Sequence, residues 1–90
     1  MEGSVVTVHY WASARAAAGT SSDQVAVDGA VSLAELRQRL VDLHPDTNLA
    51  AVLGVCSVLV GDRPVGSHDP GSVLVGPGDS VEFLPPFAGG

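Results

Sequence analysis

Lysine is absent from this sequence of 90 residues, cysteine occurs once, and basic side chains are few. Without lysine there is no glycine-rich phosphate loop ending in Lys-Ser or Lys-Thr, so the chain carries no such motif for binding a nucleotide. The four basic residues are all arginines (Arg15, Arg37, Arg39, Arg63), which leaves the N-terminus as the sole amine. The lone Cys56 excludes an internal disulfide and a cysteine pair for a metal, so a hydrophobic core must hold the domain. His9, His44 and His68 are scattered without ligand spacing. No apolar run approaches the ~18 residues that read as a membrane-spanning helix. Met1-Glu2-Gly3-Ser4 also lacks a basic, then hydrophobic, leader. The expectation is a cytoplasmic protein with no membrane contact. Ten acidic against four basic residues give a net charge of −6. That balance opposes binding to nucleic-acid phosphates and favours a basic protein partner.

What is present is enough apolar material, 46% of the chain, for one core. The expectation is one domain spanning 1–90, with no room for a large substrate pocket. Residues 5–11 (Val-Val-Thr-Val-His-Tyr-Trp) read as a strand with Val6, Val8 and Tyr10 inward and Thr7, His9 and Trp11 outward. Residues 12–18 are alanine-rich and stop at Gly19, which suits a short helical turn closed by glycine. A second strand spans 22–27, with Val25 and Val27 on one face and a turn at Asp28-Gly29. Ser32-Leu33-Ala34-Glu35 is a capping box, followed by Leu33, Leu36, Leu40 and Leu43 at helical spacing. This helix must end near His44, because Pro45 disfavours helical geometry in the residue before it. Residues 49–53 add a short turn. Residues 55–60 read as a strand buried on both faces, and Gly61-Asp62-Arg63-Pro64 turns the chain. From 65 to 78 the reading is a long loop with one short apolar segment, Val73-Leu74-Val75. A last strand, 80–84, points Val81 and Phe83 inward and stops at Pro85-Pro86, which supply no backbone donors.

This order sets one main helix between two hairpin-like halves. It predicts an α+β domain of the β-grasp, ubiquitin-like kind, a mixed sheet of about five strands covered by that helix. The first and last strands pair at the sheet centre, and residues 85–90 form a flexible C-terminal tail leaving the core. Six residues beyond Leu84, at roughly 3.3 Å each, reach about 20 Å. Pro85-Pro86 favours an extended path and lowers the entropy lost when a partner grips it. Gly89-Gly90, without side chains, fits a narrow channel and leaves the terminal carbonyl open to attack. A carboxylate is a poor acyl electrophile, so a function built on it needs activation by machinery outside this chain.

The run Val6-Thr7-Val8-His9-Tyr10-Trp11-Ala12, with Arg15, Gly19, the 33–40 helix, Gly78-Asp79-Ser80-Val81 and the terminal Phe83-Leu84-Pro85-Pro86-Phe87-Ala88-Gly89-Gly90, resembles the MoaD/ThiS sulfur-carrier family over nearly the whole chain. Within that family the likeness is to MoaD-type small subunits of molybdopterin synthase. The resemblance implies that a MoeB-like enzyme, using ATP, adenylates the Gly90 carboxylate. An external persulfide donor then displaces AMP and leaves a Gly90 thiocarboxylate. By the same resemblance Gly89 and Ala88 enter a MoaE-like large subunit, in a heterotetramer, and sulfur passes to cyclic pyranopterin monophosphate to build the dithiolene. The chain itself binds no cofactor and is not catalytic alone. The stretch 66–77 departs from the family pattern, and no family contact is carried into it.

Other carriers of this fold donate sulfur to thiamine thiazole or cysteine synthesis, and a ubiquitin-like modifier joined through Gly90 to lysines is a further alternative. Leu84, Pro85, Pro86 and Phe87, with Trp11 beside them, are the candidate partner surface. Packing of Leu84 and Phe87 onto their own sheet, and burial of Trp11, are the competing possibilities. Cys56 reads as an inert core thiol, and Asp62, Asp69 and Asp79 read as turn carboxylates rather than metal ligands.

Overall fold

The computed structural model describes residues 4–86. The chain runs β1 (Val5–Tyr10), α1 (Ala12–Ala18), β2 (Ser22–Ala26), β3 (Val31–Ser32), α2 (Leu33–Leu43), α3 (Leu49–Gly54), β4 (Ser57–Val60), β5 (Arg63–Pro64), β6 (Leu74–Val75) and β7 (Ser80–Leu84). Five strands form one mixed sheet in the order β2-β1-β7-β4-β5, and β3 with β6 forms a separate ribbon. The central pair β1–β7 is parallel, with Val8 opposite Val81 and Tyr10 opposite Phe83. This is the expected α+β arrangement with the first and last strands adjacent.

The period of two along each strand decides which side is dry. Val6, Val8 and Tyr10 of β1, Val25 of β2, Val58 of β4, and Val81 and Phe83 of β7 are buried together with Leu33, Leu36 and Leu40 of α2. Leu49 and Leu53 of α3 complete the core. Tyr10 and Phe83, cross-strand partners, stack with ring centroids 6.4 Å apart.

Local signals explain the element ends. α1 closes at Gly19, whose φ of 76° is the left-handed geometry that glycine adopts without steric penalty. α2 begins at Ser32, whose Oγ accepts the Glu35 N–H at 3.0 Å. The reciprocal half of the expected capping box is not made, because the Glu35 carboxylate turns to Arg39 at 2.7 Å, one turn on. Two outcomes follow. Ser32→Ala lowers stability by about 1 kcal/mol, the usual cost of a lost N-cap. Glu35→Gln removes only an exposed i,i+4 pair and shifts stability by about 0.2–0.5 kcal/mol. Urea unfolding of both variants separates the two effects.

Two expectations are corrected, and the apolar segment of the 65–78 loop is placed. Residues 55–60 are not a strand buried on both faces. Val55 N–H bonds Val52 O and Cys56 N–H bonds Leu53 O, so the end of α3 claims both residues and the strand starts at Ser57. Val55 is 63% exposed. The helices cover one face of the sheet, so only Val58 of β4 is buried. Leu43 is also out, at 54% exposure, in the last turn of α2 where Leu49 and Leu53 supply the apolar filling instead. Finally, the apolar segment in the 65–78 loop does not join the main sheet. Val75 sits opposite Val31 and Leu74 opposite Ser32. Leu33 N–H to Val73 O (2.8 Å) and Ala34 N–H to Pro70 O (3.1 Å) then tie the loop to the start of α2.

Candidate functional site

β7 occupies the middle of the sheet, bonded to β1 on one side and to β4 on the other, with Leu84 opposite Ser57. The chain passes from this strand directly into Pro85-Pro86. The prolines donate no N–H, so the ladder stops there. Pro85 is partly buried and Pro86 exposed. The tail is thus anchored to a strand bonded on both sides, with Phe83 fully buried one residue before Leu84. Phe87, Ala88, Gly89 and Gly90, on which the expected tail insertion and acyl chemistry fall, lie outside the described residues.

Trp11 stands at the root of the tail. Its N–H bonds Phe83 O at 3.2 Å, continuing the β1–β7 ladder by one step. The next residue, Ala12, takes φ 50°, a left-handed geometry that costs an L residue about 1–2 kcal/mol, and this turns the chain from β1 into α1. The indole is half exposed, and its Nε1–H donates to Glu82 Oε1 of β7 at 3.0 Å. Burial of Trp11 is therefore excluded: the ring lies over the open face of the sheet. The registers His9–Glu82, Glu82–Leu59 and Leu84–Ser57 put these side chains on that same face, away from α2. Leu84 is partly exposed there. Trp11, Leu84, Pro85 and Pro86 are brought together as one surface around the tail root.

Cys56 lies just ahead of β4, where its Sγ–H donates to Val52 O at 3.2 Å. Burial pushes the thiol up to about 11, so it stays protonated and weakly nucleophilic near neutral pH. The outcome for a Cys56→Ser variant is unchanged sulfur transfer. Native Cys56 reacts with iodoacetamide much more slowly than the unfolded chain, as intact mass would record.

One constellation escaped the sequence reading. Asp23 Oδ2 accepts the Tyr10 hydroxyl at 2.8 Å and meets His44 Nε2 at 2.5 Å. Burial, and then the hydrogen bond and charge of Asp23, hold the Tyr10 hydroxyl far above its ordinary range, so it remains a neutral donor. His44 caps the C-terminal end of α2, and Asp23 belongs to edge strand β2, so the network ties the helix to the sheet. Its Tyr10 stacks on Phe83, two residues before Pro85, but the network offers no nucleophile. The strand period holds a signal for it: Asp23 shares the inward register of Val25, where a carboxylate requires partners. Asp69 and Asp79 act as expected of turn carboxylates, accepting the N–H groups of Gly71 and Gly76.

An open cleft of about 450 Å³, lined by Arg37, Cys56, Val65 and His68 among others, opens on the β5 side of β4. Among the described residues no group of histidine, cysteine or acidic side chains could hold a metal ion. No helix among them is long and apolar enough to cross a membrane.

A mixed sheet with a parallel central pair, helices packed on one face and the last strand in its middle define a ubiquitin-like β-grasp domain. The ThiS family model matches residues 8–90, and the chain belongs to the ThiS family of small sulfur carriers and ubiquitin-like modifiers. Proteins of the ThiS and MoaD type work with partner enzymes. No curated protein matches the chain in sequence. Among solved structures, SAMP1 from Haloferax volcanii superimposes with a TM-score of 0.78 at 24% identity, covering 96% of this chain and 99% of that one. Urm1 from Trypanosoma brucei gives 0.70 at 23% identity, covering 97% and 96%. A Pyrococcus furiosus protein described as molybdopterin converting factor, subunit 1, gives 0.69 at 18% identity, covering 91% and 97%. At these identities the likenesses show the shared fold.

Proposed function

We propose that this protein carries sulfur as a thiocarboxylate on Gly90 and acts as the small subunit of a molybdopterin synthase. The observation that carries the reading is that the central strand, bonded on both sides, ends at Leu84 and leads directly into Pro85-Pro86, so the chain beyond the prolines begins from a fixed base. In this reading Gly89 and Ala88 pass into the large, MoaE-like partner, while Trp11, Leu84, Pro85, Pro86 and Phe87 seat against it. A MoeB-like partner uses ATP to join the Gly90 carboxylate to AMP. A persulfide sulfur attacks the carbonyl carbon, AMP leaves, and reductive cleavage of the resulting S–S bond by a thiol frees the thiocarboxylate. The partly buried, protonated Cys56 fits a sulfur source outside the chain. The acidic net charge favours basic partner surfaces.

The second reading is a ubiquitin-like modifier joined through Gly90 to target lysines. It is favoured by the likeness to SAMP1, called a small archaeal modifier protein, and to Urm1. The test is reconstitution: the thiocarboxylate form is mixed with the large subunit from the same cell and cyclic pyranopterin monophosphate. Molybdopterin formation supports the first reading. Absence of product, together with tail-derived isopeptides on lysines of cellular proteins, would replace it with the second.

A further inference from the structure

We infer that the open face of the sheet is a docking surface keyed by Glu82, and that the partner seated on it brings an arginine to that carboxylate. The inference rests on the functional reading only for which protein the partner is, the MoaE-like large subunit. Register fixes what the face carries. Glu82 stands between His9 of β1 and Leu59 of β4, with Leu84 two residues further along β7. Trp11, half exposed, donates its indole N–H to Glu82 Oε1 at 3.0 Å. Of the residues that the ladders put on this face in β1, β2, β4 and β7, Glu82 alone is acidic. The face is also continuous with the tail root, since Leu84 leads into the partly buried Pro85 and the exposed Pro86.

A single carboxylate flanked by Trp11, Leu59 and Leu84 constrains what can dock. In the free chain Glu82 is only partly buried, and water solvates it. Once a partner covers the face, that water is lost and the charge must be paired, because a buried unpaired carboxylate is far more costly than a buried apolar group. Among the described residues Glu82 forms no ion pair, and the indole satisfies Oε1 alone. A guanidinium matches what remains. Its planar fork donates to a carboxylate in a fixed direction and its face packs on an indole, whereas an ammonium is a compact, strongly hydrated point charge. Glu82 is thus a specificity residue: a partner without the cation leaves it unpaired, while the apolar residues around it discriminate little. The net charge of −6 favours approach of such a basic surface.

The experiment uses the full chain and the large subunit from the same cell, with affinity read by calorimetric titration. Glu82→Gln removes the charge and keeps an oxygen acceptor for the indole, so the emission maximum of Trp11, the sole tryptophan, stays at the wild-type value in the free chain. Affinity for the large subunit falls by about 30-fold or more, the cost of removing one side of a covered charge pair. Each arginine of the large subunit is then replaced by alanine. One such variant loses affinity for the wild-type chain and loses no more when paired with Glu82→Gln, the signature of a direct coupling. The inference is overturned if Glu82→Gln binds within about twofold of wild type, the scatter of such comparisons, or if no arginine couples to it. It is equally overturned if the emission shifts along with the loss, which assigns the effect to the pose of Trp11. A chain that binds through Glu82 yet yields no molybdopterin refutes the functional reading and leaves the inference standing. Product formation with Glu82→Gln at undiminished affinity does the reverse.

Discussion

Deleting Gly90, or adding one residue after it, lowers sulfur transfer by at least about a hundredfold, as a single-turnover assay of the complex would measure. The estimate follows from geometry: removing one residue pulls the terminal carboxylate back by about 3.3–3.6 Å, and a misplacement near 1 Å already costs on the order of 10²-fold in a positioned reaction. Extension buries the former terminus in an amide and presents a different carboxylate. Neither change touches the core, which ends at Phe83. The urea midpoint of both variants therefore stays at the wild-type value, which separates lost chemistry from lost folding.

Phe83→Ala has the largest effect on stability. The ring is fully buried, stacks on Tyr10, and stands opposite Val58 and Tyr10 in the two ladders that hold the central strand. Truncating such a side chain costs about 3–5 kcal/mol, a large share of the roughly 5–15 kcal/mol that holds a small domain together. In a domain of this size each kcal/mol lowers Tm by about 4–8 °C. Calorimetry checks the magnitude. Phe83→Leu keeps most of the apolar volume and loses less. Because the same strand anchors the tail, Phe83→Ala also weakens partner binding near its melting temperature, an effect that cooling reverses.

Strong local chemistry was legible in the sequence. Gly19 closed α1, Ser32 opened α2 and Pro45 ended it, because each acts through its own backbone. The alternation in β1 and β7 gave the buried residues and, with them, the central pairing that positions the tail. What was not legible depends on elements far apart in sequence. The stretch 55–60 reads as a uniform apolar run, and only the reach of α3 decides that its first two residues leave the strand. Two-residue β3 is too short to carry a period, and its partner Leu74–Val75 lies in a loop rich in glycine. Trp11 continued the outward side of the strand by period, but the turn at Ala12 and the bond to Glu82 set its final pose. The Tyr10–Asp23–His44 network joins three separate elements, and only the inward register of Asp23 announced it.

Within the site, the residues at the root of the tail are now placed: Trp11 and Leu84 share the open face, and the two prolines follow the middle strand. The remaining element is chemical and falls on Gly90. Intact mass spectrometry of the chain after incubation with its activating enzyme, ATP and a persulfide donor tests it directly. The account predicts a gain equal to the difference between a sulfur and an oxygen atom, confined to the C-terminal peptide and absent from the Gly90 deletion. A chain that keeps the mass of its carboxylate form, or gains sulfur on Cys56 instead, would contradict it.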